Sequence, residues 1–150
     1  MDKIVFITGA SSGIGAGCAR KFASQGASLI LNARNEEKLS ALKEELEQQY
    51  GARVCLLPFD VRDRKTAAEA LASLPDEWKA IDILINNAGL VIGVDKEHEG
   101  NLDEWDIVID TNIKSLLAMT QAGSARHGGT RQGAYHQYRF DSGRRCLCGR

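Results

Sequence analysis

The chain has 150 residues, 43% hydrophobic and 26% charged, with a net charge of −1, the balance of an ordinary soluble globular domain with one core. No apolar run approaches the roughly 18–20 residues that span a bilayer. The Met1-Asp2-Lys3 start lacks the long apolar stretch and small-residue cleavage site of a signal peptide, so a cytoplasmic protein without a membrane partner is expected.

Lys3–Thr8 is a short apolar run that reads as a first strand, followed by a glycine-rich stretch from Gly9 to Gly15. Ile14, Cys18 and Phe22 recur at helical spacing and mark the expected buried face of a first helix, with Gly26 as its stop. Ser28–Ala33 reads as a second strand. Asn35 caps the next helix, Glu36 and Glu37 sit at its positive end, and Leu39, Leu42, Leu46 and Tyr50 line one face before Gly51 ends it. Arg53–Pro58 is a third strand, Arg64–Leu74 an alanine-rich helix closed by Pro75, and Ile81–Asn86 a fourth strand. Further helices are expected from near Leu102 and near Ser115–Leu117. Strands apolar on both faces, alternating with helices, predict a parallel sheet covered on both sides. With right-handed crossovers this is a doubly wound α/β (Rossmann) fold, of which the N-terminal half is expected here.

Thr8-Gly-Ala-Ser-Ser-Gly-Ile-Gly15 lies between a strand and a helix. There Gly9 permits a tight turn, Gly13 lets the backbone approach a pyrophosphate, and Gly15 allows close helix–sheet packing. The helix start offers free N–H groups and positive dipole to phosphates. A lone glycine pattern also serves as a plain turn; its placement between strand and helix favours a nucleotide. Cys18 and Cys55 lie in apolar segments and read as buried reduced thiols. Cys146 and Cys148 have no His or Cys at zinc-site spacing, so no metal is expected.

The spacing from Thr8 to Gly15 resembles that of the short-chain dehydrogenase/reductase family, and later landmarks agree. Asp60 and Val61 follow the third strand, Asn86-Asn87-Ala88-Gly89 closes the fourth, and Asp110-Thr111-Asn112-Ile113-Lys114-Ser115 matches the segment that carries the family's catalytic asparagine. The resemblance implies Asn112 as a catalytic candidate. It implies cofactor contacts at Thr8, Gly9, Ser11, Ser12, Gly13, Ile14, Gly15, Asp60, Val61, Asn87, Ala88 and Gly89. An NAD site places an acid at the end of strand two. Here that place reads Asn32-Ala33-Arg34, and Arg34 can pair with a 2′-phosphate, so NADP is the expected cofactor. Ser73–Leu90, Glu104-Trp105 and Ile109–Asn112 resemble the branch of NADP-dependent serine and 3-hydroxy acid dehydrogenases. That branch implies a small hydroxy acid or hydroxy amino acid, such as serine or L-allo-threonine, as substrate of a homotetrameric parent.

The pattern breaks after Gln121. Residues 122–150 hold six Arg, no Lys and one acid, a net +5 that leaves −6 on residues 1–121. The family's catalytic serine and Tyr-x-x-x-Lys are expected here and do not appear; Tyr135 is followed at that spacing by Arg139. One permitted choice of codons for Gly123 onward, read one base on, translates as V-P-R-G-M-V-E-R-G-K-G-H-I-I-N-I-G-S. This is a family-like continuation whose serine straddles Phe140 and Asp141. A frameshift near codons 119–123 is therefore expected, with residues 1–121 the NADP-binding half and 122–150 an out-of-frame tail. An arginine–glycine tail can also be read as an RNA-binding arm; the out-of-frame reading is preferred, and no nucleic-acid partner is expected. Such a tail is expected to supply no fifth strand, leaving Ile81, Ile83 and Ile85 on an open apolar edge with poor solubility and weak NADP binding. The alternative function is a non-catalytic NADP-binding fragment with a sensing or interaction role.

Overall fold

The computed structural model describes residues 3–93, 96, 98–124 and 134–137. Five strands alternate with helices: β1 (Ile4–Ile7), α1 (Gly13–Ala23), β2 (Ser28–Ala33), α2 (Glu36–Tyr50), β3 (Val54–Pro58), α3 (Arg64–Ala72), β4 (Ile83–Asn86), α4 (Leu102–Ile109), α5 (Ser115–Ser124) and β5 (Ala134–Gln137). A 3-10 turn, Asp76–Trp78, precedes β4, and a π-helical turn, Asp110–Lys114, joins α4 to α5. The strands are all parallel in the order β3-β2-β1-β4-β5. This is the doubly wound arrangement, with the direction of winding reversing at β1.

The two-residue period of a strand builds the two layers. Val5 and Ile7 of β1 and Leu29 and Leu31 of β2 face one side, where Ala16, Ala19 and Ala23 of α1 and Leu39, Leu42 and Leu46 of α2 cover them. Phe6 and Ile30 face the other, against Leu71 of α3, Trp78 and Met119 of α5. Val5, Phe6, Ile7, Leu29, Ile30 and Leu31 are fully buried, each such side chain contributing about 1.5–3 kcal/mol of burial. The strand starts are tied by Asp82, which accepts from Lys3 Nζ and from the Ile4 N–H, both at 2.9 Å.

Four expectations are corrected. The buried face of α1 is its small residues, Gly15, Ala16, Ala19 and Ala23; Cys18 and Phe22 are half-buried beside it, and Ile14 is 53% exposed. Small side chains win because the helix packs so closely on the sheet. Tyr50, expected on the apolar face of α2, is exposed at the last helical turn. The open β4 edge is overturned as well. Ala134–Gln137, within the arginine-rich tail, pairs in parallel with Ile83–Asn86 as β5. Backbone hydrogen bonding needs no particular side chain, so composition alone did not exclude a strand there. Ile81 and Ile85 are buried. Cys18 and Cys55 are free and half-buried rather than buried, and burial raises both thiol pKa values above the usual thiol range. Cys146 and Cys148 lie outside the described residues.

Candidate functional site

The loops at the carboxyl ends of β1 to β4 enclose a cavity of about 670 Å³. Open α/β sheets bind ligands at this place, beside the reversal point. Its floor is the turn from Gly9 to Gly13. Gly9 has φ +64°, and a Cβ there would meet Ala88 Cα at 2.8 Å. A Cβ on Gly15 would overlap the Gly9 carbonyl oxygen. Around Gly13, by contrast, a Cβ would meet nothing within 4 Å. The loop is therefore tight toward the protein and open toward the cavity, as a phosphate cradle requires.

Thr8 and Asn87 hold this turn against the end of β4. Thr8 Oγ1 accepts the N–H groups of Asn87 and Ala88, both at 3.0 Å. Asn87 Nδ2 donates to the carbonyls of Thr8 and Gly9, at 3.1 and 3.0 Å. Asn86, beside it, donates to Thr120 Oγ1 on α5 at 3.0 Å. The glycine loop and the Asn87–Gly89 segment thus form one hydrogen-bonded unit.

Of the cofactor residues expected from sequence, Gly9, Ser11, Ser12, Gly13, Ile14, Arg34, Asp60, Val61, Asn87, Ala88 and Gly89 line the cavity. Thr8 and Gly15 are buried behind it. Asn112 stands apart: its carboxamide is bonded to the Leu90 backbone, accepting from N–H at 2.9 Å and donating to the carbonyl at 2.7 Å. Its neighbour Thr111 is the residue of that turn that reaches the cavity wall. Positions 125–133 and 138–150, which include Tyr138 and Ser142, lie outside the described residues.

Sequence reasoning missed Asn32, Lys38, Arg62 and Leu90 as cavity residues. Asn32 donates to the carbonyls of Leu57 and Phe59 at 2.9 and 3.0 Å, pinning the ends of β2 and β3 together. Two carbonyl acceptors fix which way its amide faces, and Oδ1 is left buried without a partner among the described residues. A polar residue inside an apolar strand was the available signal. Arg62 grips Asp60 through its backbone N–H, Nε and an Nη, with the shortest bond 2.6 Å. That grip, and to a lesser extent the charge of Arg34, holds the Asp60 carboxyl below the usual carboxylate range. The Asp-x-Arg spacing foreshadowed it. No group of three or more His, Cys, Asp or Glu residues among those described is arranged to hold a metal, and no described helix is long and apolar enough to cross a membrane.

Residues 3–134 match the family model described as short chain dehydrogenase. The chain belongs to the short-chain dehydrogenase family. Among its relatives in that family, the NADP-dependent 3-hydroxy acid dehydrogenase YdfG of Escherichia coli (strain K12) is 44% identical over 119 residues, 79% of this chain and 46% of the relative. Serine 3-dehydrogenase of Agrobacterium fabrum (strain C58) is 41% identical over 120 residues, 80% of this chain and 47% of the relative. Among short-chain dehydrogenases of known structure, the closed form of serine dehydrogenase complexed with NADP+ superposes with a TM-score of 0.81 at 40% identity, covering 89% of this chain and 52% of that one. The chain spans about half the length of the relatives it matches.

Proposed function

We propose that residues 1–121 are the NADP-binding half of a short-chain dehydrogenase that moves hydride between NADP and the 3-hydroxyl of a small hydroxy acid or hydroxy amino acid. Serine and L-allo-threonine are the leading substrates. The observation that carries the cofactor choice is Arg34 on the cavity wall, following Asn32 and Ala33 where an NAD site would place an acid. A 2′-phosphate there meets a guanidinium and no unpaired carboxylate from β2.

In this reading the turn from Ser11 to Gly15 and the start of α1 hold the pyrophosphate. Asp60 and Val61 border the adenine, and Asn87, Ala88 and Gly89 flank the path of the ribose and nicotinamide. Bound NADP supplies the hydride acceptor or donor. Asn112 acts as a positioning residue, because its side chain is spent on Leu90; it holds the π turn that leads to the reacting end of the cavity. The proton-transfer serine, tyrosine and lysine of the family have no counterpart at their motif spacing in residues 122–150. Such acid–base groups contribute typically about 10²–10⁴-fold, so this 150-residue chain is inactive. The tail is out of frame, and the parent, read in the restored frame, is a cytoplasmic homotetramer. One observation supports the frameshift from a new side. The four residues that form β5, Ala134–Gln137, are those for which one permitted choice of codons, read one base on, gives H-I-I-N.

A pair of assays tests this. The purified chain, given NADP+ and serine or L-allo-threonine, should show no NADPH absorbance; a protein made from the gene with the frame restored at codons 119–123 should turn over. Turnover by the unrepaired chain, or a downstream frame with no Tyr-x-x-x-Lys, would overturn the proposal. A second reading, a non-catalytic NADP-binding fragment, is favoured by the cavity's lining, which among the described residues comes from positions 9–111. A soluble chain that binds NADP and a restored frame that does not catalyse would support it.

A further inference from the structure

We infer that Lys38, on the first turn of α2, is a second cation for the 2′-phosphate of NADP and acts together with Arg34; this rests on the cofactor reading above. Three cationic side chains line the cavity: Arg34, Lys38 and Arg62. Arg62 is committed to Asp60 through a 2.6 Å ion pair. Arg34 and Lys38 have no ion-pair partner among the described residues, although Glu36 and Glu37 lie between them in sequence. The cavity wall therefore carries two positive charges without an ion-pair partner among the described residues, Arg34 just after β2 and Lys38 on the first turn of α2.

The position of Lys38 is itself unfavourable without an anion. Asn35 Oδ1 accepts the Lys38 N–H at 2.8 Å, which fixes Lys38 as the third residue of the helix. A helix N-terminus carries partial positive charge and disfavours a cation in the first turn. Glu36 and Glu37, the first two residues of the same turn, follow that preference; Lys38 runs against it and faces the cavity. A phosphate monoester carries about −1.5 to −2 charges at neutral pH, more than one arginine balances. Arg34 supplies a directional fork and Lys38 a compact, adaptable point charge, and together they match the dianion.

The test is the binding of NADP+ and NAD+ to the full 150-residue chain by calorimetry, at low and moderate salt. Lys38→Gln should weaken NADP+ about three- to tenfold while leaving NAD+ unchanged, and should flatten the salt dependence of NADP+ binding. Lys38→Arg should restore NADP+ affinity. Lys38 is exposed, so circular dichroism of the variants should match the parent. If Lys38→Gln leaves the NADP+ to NAD+ ratio unchanged while Arg34→Gln lowers it, Lys38 is not a phosphate ligand, and the cofactor reading stands without it. If the parent chain binds neither nucleotide, or binds both alike, the cofactor reading fails and this inference falls with it.

Discussion

Asn112 and Leu90 bond to one another as two paired strand residues would: the carboxamide of Asn112 meets both the N–H and the carbonyl of Leu90, at 2.9 and 2.7 Å. The pairing ties the π turn between α4 and α5 to the loop that leaves β4. Asn112→Ala would leave two part-buried backbone groups unpaired, about 1–3 kcal/mol of lost stability. Denaturant unfolding of the variant should show it, with faster hydrogen exchange at Leu90. An unchanged midpoint and unchanged exchange would mean that the loop is held by something else.

Thr8, at the end of β1, plays a matching part for the same loop. Its hydroxyl serves the N–H groups of Asn87 and Ala88. Thr8→Val keeps the shape, strands the Ala88 N–H and leaves the Asn87 N–H with the Ile85 carbonyl, so it should destabilise by about 1–3 kcal/mol, whereas Thr8→Ser should retain most of that stability. Equal melting of the Val and Ser variants would count against the hydroxyl's role.

Two glycines of α1 should respond in opposite directions. Gly15→Ala drives a methyl into the Gly9 carbonyl and Asn87 Nδ2, and should cost about 1–3 kcal/mol and abolish nucleotide binding. Gly17 has open space around it, so Gly17→Ala should stabilise the helix by about 0.5–1 kcal/mol. Thermal melts of the two variants, side by side, provide the check.

The Asp60–Arg62 pair sets an acid limit. The folded-state pKa of Asp60 is depressed, chiefly by its bonds to Arg62. A depressed acid contributes stability above its unfolded pKa of about 3.9, and that contribution is lost as pH falls through the folded value. Asp60→Asn should therefore be less stable than the parent at neutral pH, with the gap closing below about pH 3–4. A gap that persists unchanged into strong acid would point to packing instead. The pair is part-exposed, so the effect is small.

The strands and the cofactor turn were legible because each is written locally. Ser28–Ala33 is a strand with the bounds expected, and Asn35 and Gly51 cap α2 as their residue types foretell. What was not legible depends on neighbours distant in sequence. The rotation of α1 follows from how closely Gly15 sits on Gly9, which periodicity does not encode. The π turn at Asp110–Lys114 carries no residue signature of its own. Arg62 became a cavity residue only through its grip on Asp60, and β5 arose in a segment whose composition argued for no strand.

The lining of the cavity runs from Gly9 to Thr111, and this has a consequence for inheritance. On the proposed cofactor reading, recognition of the nucleotide is written in the first part of the gene, ahead of the family's proton-transfer residues. A lesion past codon 119 can erase the chemistry while leaving the recognition code intact. On the proposed frameshift, such a lineage can drift toward a new use for the nucleotide without first losing its hold on it, or return to catalysis by a single compensating base.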